Sequence, residues 1–210
     1  MKKYASIPYY NMEIFGNLCT AFDKLDGSNL RFEWGWKRGF YKFGTRSTMI
    51  DRNSQPFGDG IDIFLEKYGE DLNKIFRDRY RKVESFVVFG EYVGENSFAG
   101  QHMESEKKDV ILFDVSAYKR GFVGPDEFLK NFGHLDTPRV IYQGKYNENL
   151  IRSVRENQYG LKEGVIVKGQ IGKEVWMSKI KTTEWLDKIR EKFGEKFLME
   201  ELNNDKTLMS

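Results

Sequence analysis

One cysteine, two histidines and four prolines are all that the 210 residues contain of those types. With Cys19 alone no intramolecular disulfide can form. His102 and His134 stand far apart in the sequence and cannot join Cys19 in a Cys/His zinc site, so all three read as structural or surface residues. No apolar run approaches a membrane span, and the Met-Lys-Lys start lacks the apolar core of a signal peptide. These absences give the expectation of a soluble, cytoplasmic protein. Charge of one sign is lacking too: 34 Lys and Arg face 32 Asp and Glu, a net charge of +2. Any contact with nucleic acid must come from a local patch rather than from the field of the whole surface. A Walker-type Gly-x4-Gly-Lys-Ser/Thr loop is absent, as is a glycine fingerprint after a strand. A bound nucleotide would therefore be held mainly by side chains.

The chain is long enough for one domain with a real core, or one domain with a small appendage, and its plentiful aromatics argue against disorder. Residues 30–34 and 40–43 read as a hairpin, with Gly35 and Gly39 near its turn. Ile61, Phe64, Leu65, Tyr68, Leu72, Ile75 and Phe76 recur at helical spacing on one face. Residues 86–93 and 110–115 read as buried strands, 125–132 and 148–156 as short helices. A second hairpin is expected over 164–168 and 174–181, with Gly169 and Gly172 in the turn. Thr182 or Thr183 caps a last helix with Leu186, Ile189, Phe193 and Phe197 on its core face. The sum is an α+β fold of antiparallel sheets with flanking helices.

Six places carry chemistry. Lys24-Leu25-Asp26-Gly27-Ser28-Asn29 precedes the first hairpin. A lysine attacks phosphorus only as the neutral amine, and with a reference pKa near 10.4 it needs neighbouring cations or desolvation to lose its proton. The plain alternative is an exposed lysine before an Asp-Gly turn. Lys179 and Lys181 share one face of the strand over 175–181. Two ammonium groups on one face of an apolar strand are costly unless an anion sits there, and phosphate is the natural one. An edge strand protected by lysines is the alternative. Glu163-Gly164-Val165 opens a buried strand; period two puts Glu163 on the face of Val165, a carboxylate for a hard cation beside an apolar floor for a base. Glu91 lies inside an apolar strand, where a ribose hydroxyl, a metal-bound water or an arginine would satisfy it. Phe113-Asp114 pairs an aromatic with a carboxylate, and Arg46 follows the first hairpin.

Taken in chain order the six places resemble the motifs of the covalent nucleotidyltransferase superfamily, and within it the ATP-dependent RNA ligases of phage type. Lys24-Leu25-Asp26-Gly27 matches motif I, Arg46 motif Ia, Glu91 motif III, Phe113 motif IIIa, Glu163-Gly164-Val165 motif IV and Lys179-Ile180-Lys181 motif V. DNA ligases and capping enzymes often carry arginine where this chain has Asn29, which favours the RNA ligases. The resemblance implies a ligase-type nucleotidyltransferase domain over residues 1–182, followed by a helix and tail over 183–210 with no separate OB domain. The 23 residues ahead of Lys24 leave no room for the extra domain of NAD-dependent ligases, which makes ATP the expected donor.

The resemblance also implies roles. Lys24 takes AMP from ATP, passes it to an RNA 5′-phosphate, and a 3′-hydroxyl then seals the strand. Lys179 and Lys181 neutralise the α-phosphate. Glu163, with Asp26 and Glu91, holds the hydration shell of Mg²⁺ or Mn²⁺. Asn29, Arg46 and Glu91 contact the nucleotide, while Phe113 stacks on one face of the adenine and Val165 on the other. Arg77, Arg79, Arg81 and Lys82 form a candidate RNA patch whose plain alternative is a solvated helix end. A partner protein that clamps the strands is a further candidate. The competing readings are a minimal DNA ligase or capping-type enzyme, and an inactive protein that binds nucleic-acid ends.

Overall fold

The computed structural model describes residues 1–9, 12–94 and 106–203; His102 lies outside them. In chain order a 3-10 turn, Met12–Ile14, leads to strands β1 (Leu18–Asp23), β2 (Ser28–Gly35), β3 (Gly39–Thr45) and β4 (Met49–Ile50). Helix α1 (Asp59–Arg79) follows, then β5 (Ser85–Val93), β6 (Asp109–Ala117), β7 (Gly121–Phe122), α2 (Pro125–Phe132), β8 (Val140–Lys145) and α3 (Glu148–Arg155). The hairpin β9 (Gly164–Ile171) and β10 (Glu174–Lys181) precedes α4 (Thr183–Asn203). The chain forms two compact units: Met1–Tyr4 with Leu25–Pro138, and Ala5–Lys24 with Arg139–Ser210. No described helix is long and apolar enough to cross a membrane.

The first unit holds a six-stranded sheet in the order β4-β3-β2-β5-β6-β7, its pairs antiparallel. One face is covered by α1, whose Ile61, Phe64, Tyr68, Leu72, Ile75 and Phe76 are buried as their spacing requires. Phe64 stacks on Phe32 and Phe76 on Phe86, with ring centres 3.6 and 4.0 Å apart. Each such ring taken from water contributes about 1.5–3 kcal/mol. Alternation sends Asn29, Arg31, Glu33, Phe89, Glu91 and Asp114 to the opposite face, where the register pairs Asn29 with Glu91 and Phe89 with Asp114.

The second unit holds a four-stranded sheet in the order β10-β9-β1-β8, also antiparallel. Val165, Val167, Ile180, Cys19 and Ala21 form its core with Leu150, Ile151 and Val154 from α3 and with Tyr146, two residues ahead of that helix. Burial pushes the Cys19 thiol up to about 11, as suits a packing residue. The other face carries Thr20, Phe22, Ile166, Lys168, Met177, Lys179 and Lys181, which stand opposite one another in register.

Three expectations are corrected. Gly169 lies inside β9, not in the turn: it is paired with Trp176, whose indole fills the space a side chain would need. The turn is made at Gly172, with φ +59°. The final helix starts at the Thr182 cap, whose hydroxyl accepts from the Trp185 N–H at 3.1 Å, but Gly194 at φ 82°, ψ 166° interrupts it. Ile189 is buried and Leu186 half-buried, whereas Phe193 just before the break is exposed. The Phe197 side chain lies outside the description. Third, Val165 is fully buried in the α3 core, on the face opposite Lys179 and Lys181, so it does not share a face with the Glu163 carboxylate as period two had placed it.

Candidate active site

The site in the second unit is assembled at one end of three adjacent strands. Lys24 follows β1, Glu163 precedes β9 and Lys181 ends β10. Backbone bonds fix this row: Lys24 N–H donates to the Gly164 carbonyl and Thr182 N–H to the Glu163 carbonyl, both at 3.0 Å. Side chains then close on one carboxylate. Lys24 Nζ donates to Glu163 Oε2 at 2.7 Å, and Lys181 Nζ donates to Oε1. Glu163 and Lys181 are each 4% exposed, so the carboxylate and one of its two ammonium partners are largely withdrawn from water, while the Lys24 side chain keeps 24% of its surface. Such a set is tolerated only when paired.

Strict alternation would send Glu163 to the face of Val165. Gly164 prevents this with φ +154°, a conformation L side chains rarely adopt. A Cβ here would also meet the Ile180 carbonyl oxygen at 2.1 Å. The reversal at Gly164 delivers the Glu163 carboxylate to the lysine face while the strand beyond it keeps Val165 in the core. Ile166, paired with Lys179 and Phe22, is the apolar residue of β9 on that face nearest the row.

Lys179 is held by the strand's neighbour: its N–H donates to the Pro8 carbonyl at 2.8 Å and its Nζ stands 4.3 Å from the centre of the Tyr9 ring. Lys181 Nζ lies 3.5 Å from the Trp185 ring centre. Lys168, two residues along β9 from Ile166, is 4% exposed with Nζ 5.4 Å from the Phe22 ring centre. Sequence reasoning did not single out Lys168 or Trp185, although period two from Ile166 would have placed the lysine.

The remaining candidates belong to the first unit. Asn29 faces Glu91 across β2 and β5, and its Oδ1 is buried with no hydrogen-bond partner. Gly27 approaches the Tyr92 carbonyl so closely that a Cβ would lie 2.4 Å from the oxygen and 3.0 Å from Glu91 Cγ. Asp26 is half-buried beside it. Phe113 is the additional residue of a bulge in β6, and Arg46 is exposed in the turn between β3 and β4. The basic stretch at the end of α1 is only partly available. Arg77 donates to Asn73 and to the Trp36 carbonyl, and Arg79 to Asn131 and the Lys130 carbonyl; Arg81 and Lys82 are exposed.

The sequence model of the RNA ligase family matches residues 19–187. The chain belongs to the RNA ligase family. No curated protein matches it. Among solved structures, an RNA ligase of Naegleria gruberi with pyrophosphate superposes with a TM-score of 0.65 at 15% identity, over 91% of this chain and 59% of that one. A mutant of the same ligase with AMP and manganese gives 0.66 at 15% identity, over 90% and 58%. A mutant with ATP and manganese gives 0.65 at 15% identity, over 90% and 58%. This family member thus shares their fold and spans under three fifths of their length.

Proposed function

We propose that this protein is an ATP-dependent RNA ligase whose first step places AMP on Lys24. The observation that carries the reading is the buried carboxylate of Glu163 shared by Lys24 and Lys181 at the end of three strands. A lysine row with one carboxylate suits the α-phosphate of a nucleotide. In the proposed reaction Lys24 Nζ, having lost its proton, forms a bond to the α-phosphorus as the bond to pyrophosphate breaks. AMP then passes from Nζ to an RNA 5′-phosphate, and a 3′-hydroxyl displaces AMP to make the phosphodiester. Lys179 and Lys181 hold the phosphate oxygens. Ile166, on the lysine face of β9, is the residue of that strand suited to pack on the adenine where the motif reading expected Val165. In the first unit Phe113 is the proposed aromatic contact and the buried Asn29 Oδ1 the proposed acceptor for the nucleotide. Glu91 and Arg46 contact ribose or phosphate.

Among the described residues no three of His, Cys, Asp and Glu form a cage for a metal ion. Magnesium and manganese in nucleotide enzymes need no cage, since one or two carboxylates, water and the substrate phosphates hold them. Glu163 is the buried carboxylate that suits such an ion, and the motif reading assigns Asp26 and Glu91 to it as well. A divalent ion there would offset phosphate charge. We assign residues 1–182 as the nucleotidyltransferase core and 183–210 as its helix and tail. A cytoplasmic setting and a partner protein that clamps RNA ends belong to the same proposal.

The test uses ATP labelled at the α-phosphate, with Mg²⁺ or Mn²⁺, read on a denaturing gel and followed by addition of RNA bearing a 5′-phosphate and a 3′-hydroxyl. The wild type should retain label, lose it on adding RNA and yield sealed strands; Lys24→Ala should do none of these. Label that moves to DNA ends but not RNA ends would point to a DNA ligase. Absence of label from wild-type protein freed of prebound AMP would sink the reading.

A further inference from the structure

Residues Met1–Tyr4 carry no motif, yet they are built into the first unit. Arg31, 2% exposed, donates from Nη1 to the Lys2 carbonyl at 3.1 Å. Lys2 Nζ donates to Ser116 Oγ at 3.0 Å and stands 4.0 Å from the Phe122 ring centre. These contacts deliver Tyr4 to the face of the sheet that carries Glu91 and Asp114. The Tyr4 hydroxyl donates to Asp114 Oδ2 at 2.8 Å, and its ring meets Phe89, Phe113 and Phe122 edge-on, with centres 4.9, 5.1 and 5.3 Å away. Asp114 is fully buried, and its Oδ1 accepts from the Val115 N–H at 2.9 Å. Burial, then the Asp114 carboxylate, push the Tyr4 hydroxyl well above its ordinary pKa, so it stays a donor.

Phe113 is where this matters. Phe89 pairs with Asp114 and Gly90 with Leu112, so Phe113 is the residue the ladder leaves over. A bulge re-aims a side chain. The Phe113 ring lies 6.3 Å from that of Phe89 on β5, and the Tyr4 ring adds a nearer edge-to-face contact at 5.1 Å from outside the ladder while its hydroxyl pins the next residue.

We propose that Tyr4 is a positioning residue that sets the orientation of Phe113, and through it the affinity and selectivity for adenine. The inference rests on the reading of Phe113 as the adenine platform of the proposed ligase. It acts on nucleotide binding, not on the bond-making at Lys24.

The test compares wild type, Tyr4→Leu and Tyr4→Phe for the ATP dependence of Lys24 labelling, for competition by unlabelled GTP and for melting temperature. Leucine keeps an apolar side chain but offers no ring edge; phenylalanine keeps the edge and loses only the hydroxyl. Tyr4→Leu should raise the KM for ATP about tenfold, the size of one lost aromatic contact. Its maximal labelling rate should stay near wild type, and GTP should compete better. Tyr4→Phe should restore most of the affinity. A merely structural role would lower the melting temperature of both variants and leave KM and the ATP/GTP preference alone, which would overturn the inference while labelling of the wild type left the ligase reading intact. A wild type that takes no label would overturn both.

Discussion

An ammonium group held in an ion pair with a carboxylate has no lone pair to offer a phosphorus atom. Lys24 is in that condition, 2.7 Å from Glu163. The pair must part before attack, and Lys181, on the other oxygen of the same carboxylate, is the group best placed to keep Glu163 satisfied when it does. Removing the carboxylate would leave the buried Lys181 ammonium without its partner beside a partly exposed Lys24, and breaking a buried pair costs about 3–5 kcal/mol. The two neighbours on β9 should respond oppositely to truncation. Val165→Ala, in the core, should lower stability by about 1–3 kcal/mol and leave the ATP dependence of labelling unchanged. Ile166→Ala, on the lysine face, should change stability little and raise the ATP needed for half-maximal labelling. Denaturant melts and ATP titrations separate the two, and the reverse pattern would refute the assignment of faces. At this scale Lys24, Glu163 and Lys181 were nameable from residue type and order. The choice between Val165 and Ile166 was not, because it turns on the φ of Gly164, which breaks the alternation the reading relied on.

Helix α1 is anchored at its first residue. The Asp59 carboxylate accepts from Tyr92 Oη and from Lys108 Nζ, each at 2.8 Å, at the positive end of the helix dipole. Burial pushes Asp59 up, but the bonds from Lys108 and Tyr92 outweigh it and its pKa lies below the ordinary value. A depressed carboxylate stabilises the fold above its unfolded pKa, near 3.9, and loses that contribution as pH falls through the folded value. Asp59→Asn should therefore melt lower than wild type at neutral pH, and the gap should close below about pH 4. A gap that is constant from pH 7 to pH 3 would contradict this. The amphipathic α1 was legible from the helical spacing of its buried face, β5 and β6 as short apolar runs, and the hairpins β2–β3 and β9–β10 from the glycines near their turns. Strand β1 was not: it is central, four consecutive residues are buried, and no alternation survives. Strand β8 lies at a sheet edge, and β4 and β7 have two residues each.

Across the whole molecule the chain passes between its two units after Tyr4, after Lys24 and after Pro138. The second crossing divides motif I itself, with Lys24 in one unit and Asp26, Gly27 and Asn29 in the other. The order of the motifs was readable along the sequence, and the family match over residues 19–187 spans all six of them. The division into units was not readable, since it depends on β1 pairing with β8 and β9 more than a hundred residues away. The central claim is chemical and local: a covalent bond between Lys24 Nζ and AMP. Its most direct test is peptide mapping by mass spectrometry after incubation of the full chain with ATP and a divalent cation. The account predicts one adenylylated peptide, the one containing Lys24, with the adduct labile to acid and stable to base as a phosphoramidate is. An adduct on another residue, or none on protein shown to be free of AMP beforehand, would contradict it.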